Sequence, residues 1–200
     1  MKDDELLETK LTGEPPWKLV KRTPLVECPW LSHYADQIIC SDKKEIEFHA
    51  IEYPMPVVGV LLIDDQNRVL LTKQYRYMVK SYDWELPAGN ADPKEDLEAA
   101  CRRETLEETG YAMKECRLVK TFYPQIGRSN HCFTLFVGTY PEKVSEDYDR
   151  GETFGLKWFT MEEARELTES DNCRDGFCLL ALNMCLQVLQ EIPGPEITNI

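Results

Sequence analysis

Three glutamates crowd the end of a predicted helix, and no Lys or Arg follows nearby to balance them. They are Glu104, Glu107 and Glu108. Residues three or four positions apart share a helix face, so Glu104 stands beside both of the others. Glu107 and Glu108 also meet the negative end of the helix dipole. Each repulsion costs only about 0.2–0.5 kcal/mol on a surface helix, which leaves a solvated acidic face open, but the crowding favours a bound cation.

The glutamates belong to a longer pattern over residues 89–111. The pattern is G-x5-E-x7-R-E-U-x-E-E-x-G-U, where U is an apolar residue, and its matching positions are Gly89, Glu95, Arg103, Glu104, Glu107, Glu108, Gly110 and Tyr111. This spacing resembles the Nudix box of the Nudix hydrolase family, whose members cleave a nucleoside diphosphate linked to some other group. The one departure is Thr105, where the family usually has an aliphatic residue, and it concerns helix packing rather than chemistry.

Hydrolysis of a pyrophosphate gives a reason for carboxylates to gather here. The reaction requires that the phosphate charge is neutralised, a water is oriented and the leaving oxyanion is stabilised. Mg²⁺ prefers oxygen ligands and keeps waters and phosphates in its shell, so a few carboxylates on one helix face suffice to hold it. The residues therefore indicate a Mg²⁺-dependent reaction, with Mn²⁺ as the alternative ion.

The resemblance implies a role for most positions of the pattern. By it, Glu104, Glu107 and Glu108 are the catalytic metal ligands, joined by the backbone carbonyl of Ala88. Other residues support these ligands by holding the carboxylates in place, and they are Glu95, Arg103 and Gly89.

A second segment, residues 74–89, indicates the substrate. It reads QYRYMVKSYDWELPAG and resembles the QYR and WELPAG segments of ADP-sugar pyrophosphatases. Arg76 would then bind a substrate phosphate through two hydrogen bonds, with a surface arginine at a strand end as the alternative. Trp84 and Glu85 are interpreted as packing residues at a dimer interface.

Two more residues are candidates for substrate binding. Arg128 lies in a loop where the resembled subgroup usually carries an acidic pair, and it fits either a terminal phosphate or ribose or a solvated loop charge. Trp30 is a candidate for stacking on adenine, with a position in the core as the alternative.

The general base is expected in the loop before residue 153. In the resembled subgroup a glutamate from a mobile loop helps to position the attacking water. Glu152 is the first candidate because it lies at the entry to a predicted strand, and Glu146 is the second because it lies nearer the middle of the loop. A solvated run of charges is the alternative for both.

Composition narrows the range of partners and compartments. The chain has 200 residues, enough for one domain with a sizeable core, and its formal net charge of −13 argues against binding nucleic acid or an anionic membrane. Nothing resembles a signal peptide or an apolar span of about 20 residues, so a cytoplasmic protein is expected. The eight cysteines contain no C-x-x-C pair and the three histidines show no ligand spacing, so no zinc site is predicted.

Periodicity and turn residues predict the elements that must position these side chains. Strands are expected at 17–26, 36–41, 45–53, 57–63, 69–75, 115–123, 131–140 and 153–159. Helices are expected at 93–109, 161–168 and 175–191. The first helix is predicted to begin after an N-cap at Asp92 and to end before Gly110. This order indicates an α+β arrangement with helices on both sides of a mixed sheet.

The resemblance implies a sharper domain plan. It implies a Nudix fold, an α/β/α sandwich with a mixed β-sheet, over residues 45–191. Residues 17–44 are similar to the N-terminal β extension of the ADP-ribose pyrophosphatase subgroup, which often dimerises through it, so a homodimer is expected. Residues 1–16 are interpreted as an acidic tether and residues 192–200 as a tail.

The predicted function is Mg²⁺-dependent hydrolysis of the pyrophosphate bond of ADP-ribose or a related nucleoside diphosphate sugar. The products are a nucleoside monophosphate and a sugar phosphate. One alternative is a Nudix hydrolase of another nucleotide, such as a dinucleoside polyphosphate, a dinucleotide cofactor or a GDP-sugar. The other is a sensor that binds ADP-ribose without cutting it, which the complete set of carboxylates disfavours.

Overall fold

The computed structural model describes residues 15–191, and for residues 187–191 it describes the backbone alone. Most of the predicted tether at 1–16 and all of the predicted tail at 192–200 lie outside the described residues. The described chain forms two compact units, residues 15–54 with 125–131 and residues 55–124 with 132–191. Each unit contains its own β-sheet.

The smaller unit is built on an antiparallel sheet of three strands. In spatial order they are β1 (Lys18–Glu27), β2 (Ser32–Ile39) and β3 (Glu45–Glu52). β2 begins at Ser32, four residues before the predicted start, because Ser32 pairs with Glu52 and Ala35 pairs with His49. This pairing joins distant segments, so the local alternation of apolar residues does not reveal it.

The larger unit is built on a mixed sheet of seven strands. They are β4 (Val57–Ile63), β5 (Val69–Arg76), β6 (Ser81–Glu85), β7 (Ala88–Asn90), β8 (Tyr111–Phe122), β9 (Phe133–Lys143) and β10 (Thr153–Phe159). The order is β10-β5-β4-β9-β8, with β4 and β9 parallel. β4 and β5 pair only beside their connecting turn; beyond it β4 pairs with β7 and β5 pairs with β6.

Helices cover both faces of this sheet. They are α1 (Leu97–Thr109), α2 (Met161–Thr168) and α3 (Gly176–Glu191). Val58 and Val60 of β4 pack in one cluster with Ala100 of α1, whereas Leu61 packs in another with Phe177 of α3. Successive residues of a strand point to opposite faces, so a strand covered on both faces is apolar throughout, as VVGVLLI is. The predicted α/β/α sandwich with a mixed sheet is confirmed.

The start of α1 differs from the prediction. The N-cap is Asp96, whose carboxylate accepts hydrogen bonds from the N–H groups of Glu98 and Ala99, and not Asp92. Asp92 and Glu95 instead close a turn, because Glu95 donates its N–H to the Asp92 carbonyl at 2.9 Å. Lys94 within that turn has a φ of 73°, in the left-handed region, which an α-helix excludes.

The end of α1 and its one unusual residue follow local rules. Gly110 adopts a left-handed φ of 70° and donates its N–H to the Leu106 carbonyl at 2.8 Å, which ends the helix as predicted. Thr105 is buried at 1% exposure, and its hydroxyl donates to the Cys101 carbonyl at 2.6 Å. The polar group at this usually aliphatic position is thus satisfied within the helix.

Among the described helices, none is long and apolar enough to cross a membrane.

Candidate active site

The carboxylate of Glu108 is the most deeply buried acidic group of the predicted metal ligands. Glu108 is 4% exposed, and its side chain extends from α1 to Gln74 of β5 and Ala88 of β7. Oε2 accepts a hydrogen bond from the Ala88 N–H at 3.1 Å, and Oε1 accepts one from the Gln74 side-chain amide at 3.1 Å. Burial nevertheless raises the pKa of Glu108 to about 8, because removal from water disfavours the charged form more than these bonds favour it.

Glu104 lies one helical turn before Glu108 and rests against the backbone of Gly89. A Cβ atom built on Gly89 would lie 2.2 Å from Cδ of Glu104, far inside van der Waals contact. Burial raises the pKa of Glu104, and the bond from Arg103 opposes this without outweighing it. The tight packing explains why this position of the pattern is a glycine.

Arg103 holds several of the surrounding oxygens. Its guanidinium donates to both carboxylate oxygens of Glu95, at 3.1 and 2.9 Å, and to Oε1 of Glu104 at 2.7 Å. It also donates to Glu107 at 3.1 Å and to the Asn90 carbonyl at 3.0 Å. The bond from Arg103 lowers the pKa of Glu95. The glutamates are therefore less unbalanced than the sequence suggests, because an arginine that precedes them serves as their counter-ion.

Of the two candidates for the general base, the structure brings Glu152 near the other carboxylates. The negative charge of Glu152 contributes to the raised pKa of both Glu104 and Glu108. The side chain of Glu146 is 91% exposed, and its ion pair is with Lys143 at 3.8 Å. Electrostatic proximity favours Glu152, although its role as the base stays a prediction.

The loop that carries Glu152 is attached to the C-terminal end of α1. The Asp149 N–H donates to the Glu107 carbonyl at 2.8 Å, and the N–H groups of Val144 and Ser145 donate to the Gly110 carbonyl. These bonds satisfy carbonyls that the end of a helix leaves without partners. The position of Glu152 is thereby linked to the helix that carries the other glutamates.

Arg76 lies at the end of β5, where its guanidinium makes a two-pronged ion pair with Glu85. Nε donates to Oε1 of Glu85 at 2.8 Å and Nη2 donates to Oε2, and this pairing raises the pKa of Arg76. Both residues line a cavity of about 270 Å³, and Arg174 and Asp175 line it as well. Glu85 is 3% exposed within a single chain, so its predicted place at a dimer interface is wrong, because its carboxylate is enclosed by its own fold.

The remaining two substrate candidates belong to the smaller unit. Trp30 lies between β1 and β2 and is 67% exposed, which rules out the alternative that it is a core residue. Arg128 is exposed, and its carbonyl accepts a hydrogen bond from the Ile51 N–H at 2.9 Å. Their contact with a substrate stays a prediction.

Sequence reasoning missed two buried polar residues, one that contacts Glu108 and one that pairs with that first residue. Gln74 is 4% exposed and binds Glu108, and its presence in the QYR segment was the available signal. Thr153 pairs across the strands with Gln74, and its hydroxyl is the one buried side-chain oxygen or nitrogen of the described residues that has no hydrogen-bond partner. No local pattern marks Thr153, because its burial depends on the pairing of β10 with β5.

The donor set fits a hard divalent cation. Glu104 and Glu108 offer only oxygen atoms, and burial raises the pKa of both, so a cation beside them would relieve the cost of holding negative charge there. Within residues 15–191, however, no three His, Cys, Asp or Glu side chains already converge as a metal site. The bond from Arg103 to Glu104 would have to open or share that oxygen when an ion binds.

Comparison with known proteins agrees with this geometry. A sequence model of the NUDIX domain family matches residues 53–177, which include the whole pattern at 89–111. A crystal structure of an ADP compounds hydrolase superposes with a TM-score of 0.74 over 86% of this chain and 96% of that chain. Its sequence identity is 18%, so this likeness shows the fold alone.

Two curated relatives are similar in sequence. The CMP-5'-(N-acetyl-N-hydroxy-3-aminopropyl)phosphonate hydrolase of Streptomyces rubellomurinus is 27% identical over 125 residues, which cover 62% of this chain and 60% of that protein. The ADP-ribose pyrophosphatase of Bacillus subtilis is 26% identical over 145 residues, which cover 72% of this chain and 78% of that protein. The match thus spans less than two thirds of the first relative's length and more than two thirds of the second's.

Proposed function

This chain belongs to the NUDIX domain family and is a Nudix hydrolase, and from that premise we propose that it hydrolyses ADP-ribose or a related nucleoside diphosphate sugar. The bond cleaved is the pyrophosphate, and the products are a nucleoside monophosphate and a sugar phosphate. The reaction uses Mg²⁺, with Mn²⁺ as a possible substitute.

The burial of Glu108 next to Glu104 and within the field of Glu152 is the observation that carries this proposal. A fold gains nothing from enclosing carboxylates that repel each other unless a ligand brings positive charge. A pyrophosphate needs that same positive charge before water can attack it. One divalent cation meets both requirements. A purely structural role would leave the burial of these carboxylates unexplained.

Each residue of the site then has a task. The carboxylates of Glu104, Glu107 and Glu108 and the backbone carbonyl of Ala88 would hold the ion. When bound, it neutralises phosphate charge and makes a nearby water more acidic. Arg103 and Glu95 fix the carboxylate of Glu104, while Gln74 and the Ala88 N–H fix that of Glu108. Glu152 accepts the proton of the attacking water.

Substrate recognition rests on residues outside the pattern. Glu85 occupies Nε and Nη2 of Arg76, so the guanidinium is held in one orientation and can offer Nη1 to a phosphate oxygen. Arg128 is proposed to bind the terminal phosphate or ribose, and Trp30 is proposed to stack on the adenine. The choice of an ADP-sugar is supported by the sequence similarity to the ADP-ribose pyrophosphatase of Bacillus subtilis and by the segment at 74–89.

A substrate panel tests this proposal. The purified protein is assayed with Mg²⁺ on ADP-ribose, other ADP-sugars, a GDP-sugar, NADH and a dinucleoside polyphosphate. We expect the highest kcat/KM on an ADP-sugar, with release of AMP in equal amount to the sugar phosphate and loss of turnover in EDTA. Inactivity on every ADP-sugar would overturn the substrate assignment. Calorimetric binding of ADP-ribose without turnover of any compound would favour the sensor instead.

Replacing Glu152 by Gln is expected to lower kcat by about 10²–10⁴-fold, because the amide cannot accept the proton of the attacking water. Glu146→Gln is the matched control, since it makes the same change in the same loop at a side chain that is 91% exposed. Its kcat should stay close to that of the unmodified protein. Steady-state rates on the best substrate show which of the two residues is the base. A loss of activity confined to Glu146→Gln would make Glu146 the base instead of Glu152.

Self-association and location are part of the proposal. β1 lies at an edge of its sheet and exposes several large apolar side chains, which are Leu19, Val20, Leu25 and Val26. Exposed apolar residues on an edge strand favour pairing with another chain, which supports a homodimer formed through residues 17–44. A cytoplasmic location is proposed from the sequence alone.

A further inference from the structure

Two of the three histidines of the chain meet on one face of the smaller unit's sheet. His33 lies on β2 and His49 on β3, and Nε2 of His33 is 2.9 Å from Nδ1 of His49. His33 pairs in register with Ile51 and His49 pairs with Ala35, so the two histidines are diagonal neighbours on the same face. At 2.9 Å the two ring nitrogens share a proton in an N–H···N hydrogen bond.

A carboxylate supports this pair from the outer side. Glu47 precedes His49 by two residues on the same face of β3, and its Oε1 lies 3.4 Å from Nε2 of His49. Gln37 donates its amide to the other oxygen of Glu47 at 2.9 Å and so holds the carboxylate in place. A carboxylate 3.4 Å from Nε2 favours the tautomer of His49 that carries its proton on Nε2, and in that tautomer the lone pair of Nδ1 is directed at His33.

From this arrangement we infer that His33 and His49 bind one divalent transition-metal ion, of the class of Ni²⁺, Cu²⁺ and Zn²⁺. The ion lies between the two rings, with Nε2 of His33 and Nδ1 of His49 as its two protein ligands. The proton that the rings shared moves to Nδ1 of His33, so both ligands are neutral imidazoles. Ligand bonds of about 2.0–2.1 Å at tetrahedral angles place two nitrogens about 3.3 Å apart. The rings must therefore separate by about 0.4 Å and turn so that both lone pairs meet at the ion. Water completes the shell, since the His49 and Glu47 side chains are 50% and 55% exposed.

This site differs in chemistry from the carboxylates of the active site. Imidazole nitrogens suit borderline transition metals, whereas Mg²⁺ prefers carboxylate, carbonyl and water oxygens. The arrangement of Glu47 behind His49 is also the one by which proteins orient a metal-binding histidine. Saturation of the active site with Mg²⁺ should therefore leave the histidine site free for a transition metal.

Calorimetric titration with Ni²⁺ in excess Mg²⁺ tests the inference. The protein is used without an affinity tag and carries Cys28→Ser, because the exposed Cys28 thiol is a competing ligand. We expect one Ni²⁺ per chain in this protein and in its His131→Gln variant, which removes the third histidine. Binding should be lost in both His33→Gln and His49→Gln, and Glu47→Gln should bind about tenfold more weakly.

A second measurement does not depend on substitution. The electron paramagnetic resonance spectrum of one bound Cu²⁺ should show hyperfine coupling to two imidazole nitrogens, and circular dichroism should confirm that each variant is folded. The inference is overturned if the tag-free protein binds no Ni²⁺, or if either His33→Gln or His49→Gln retains its affinity. Because hydrolysis is not the readout, these outcomes are independent of the proposed substrate.

Discussion

Replacing Glu108 by Gln is expected to lower kcat/KM by about 10³-fold or more while the fold survives, because a lost metal ligand removes several kcal/mol of transition-state stabilisation. The amide keeps the shape of the carboxylate. Its oxygen can still accept from the Ala88 N–H, and its nitrogen can donate to Gln74 once the Gln74 amide turns over. Steady-state kinetics and a Mg²⁺ titration by calorimetry measure the effect.

The same variant should be more stable than the unmodified protein when metal is absent and the pH is high. The pKa of Glu108 is raised from 4.5 to about 8 in the folded chain, so between these values the folded state binds more protons than the unfolded state. The free energy of unfolding therefore falls as pH rises through this window. Glu108→Gln removes this fall, which we expect to be on the order of 3 kcal/mol.

Chemical denaturation in EDTA at pH values near 5 and 9 measures this difference. Glu107→Gln is the matched control, since it makes the same change one position earlier at a side chain that is 54% exposed. Its unfolding should follow the pH dependence of the unmodified protein. Undiminished turnover in Glu108→Gln would refute its role as a metal ligand, and equal pH dependence of all three proteins would refute the effect of its burial.

Replacing Gly89 by Ala is expected to lower kcat/KM by about 10²-fold, because a misplacement of about 1 Å in a catalytic group costs that much. The added Cβ would lie 2.2 Å from Cδ of Glu104, whereas carbon atoms in contact lie about 3.5–4.0 Å apart. The carboxylate of Glu104 must therefore move by more than 1 Å, away from its place beside Arg103. The affinity for Mg²⁺ should fall together with the rate.

Gly176→Ala is the control for this substitution. A Cβ at Gly176 meets no atom within 4 Å, and the residue begins α3 on the opposite face of the sheet from α1. Its activity should equal that of the unmodified protein. If Gly89→Ala is as active as Gly176→Ala, then the position of the Glu104 carboxylate does not matter for catalysis.

Helices and strands whose bounds are set by local sequence signals were predicted well. The bounds of β4, β10 and α2 agree with the predicted 57–63, 153–159 and 161–168. Each was marked by a local signal. β4 is a continuous apolar run, β10 is a short segment rich in aromatic and apolar residues, and α2 begins with a capping box at Thr160. The start of α1 was predicted wrongly, because the sequence pattern placed the N-cap at Asp92 whereas Asp96 caps the helix. Asp92 instead belongs to a turn before the helix. The carboxylate of Glu95 accepts hydrogen bonds from the Asp92 N–H and from Arg103 in that turn.

The sequence by itself determined the class of protein and the chemistry of its ligands. Glu104, Glu107 and Glu108 share one end of a helix through the helical repeat, and their crowding indicated a cation. The resemblance of the whole pattern to the Nudix box implied the phosphate substrate. Spacing could not show that these three residues differ in environment. Glu107 is largely exposed, whereas Glu104 packs against Gly89 of β7 and Glu108 is buried against the sheet.

Tertiary structure alone decided which distant residues surround those ligands. The raised pKa of Glu108 depends on its enclosure against Gln74 of β5 and Ala88 of β7, two strands that are not paired with each other. The histidine pair depends on the register of β2 against β3, since a shift of one residue would turn one ring to the other face. Local propensity fixes the conformation of neighbouring residues, but burial and convergence arise from pairing between segments that are far apart in the chain.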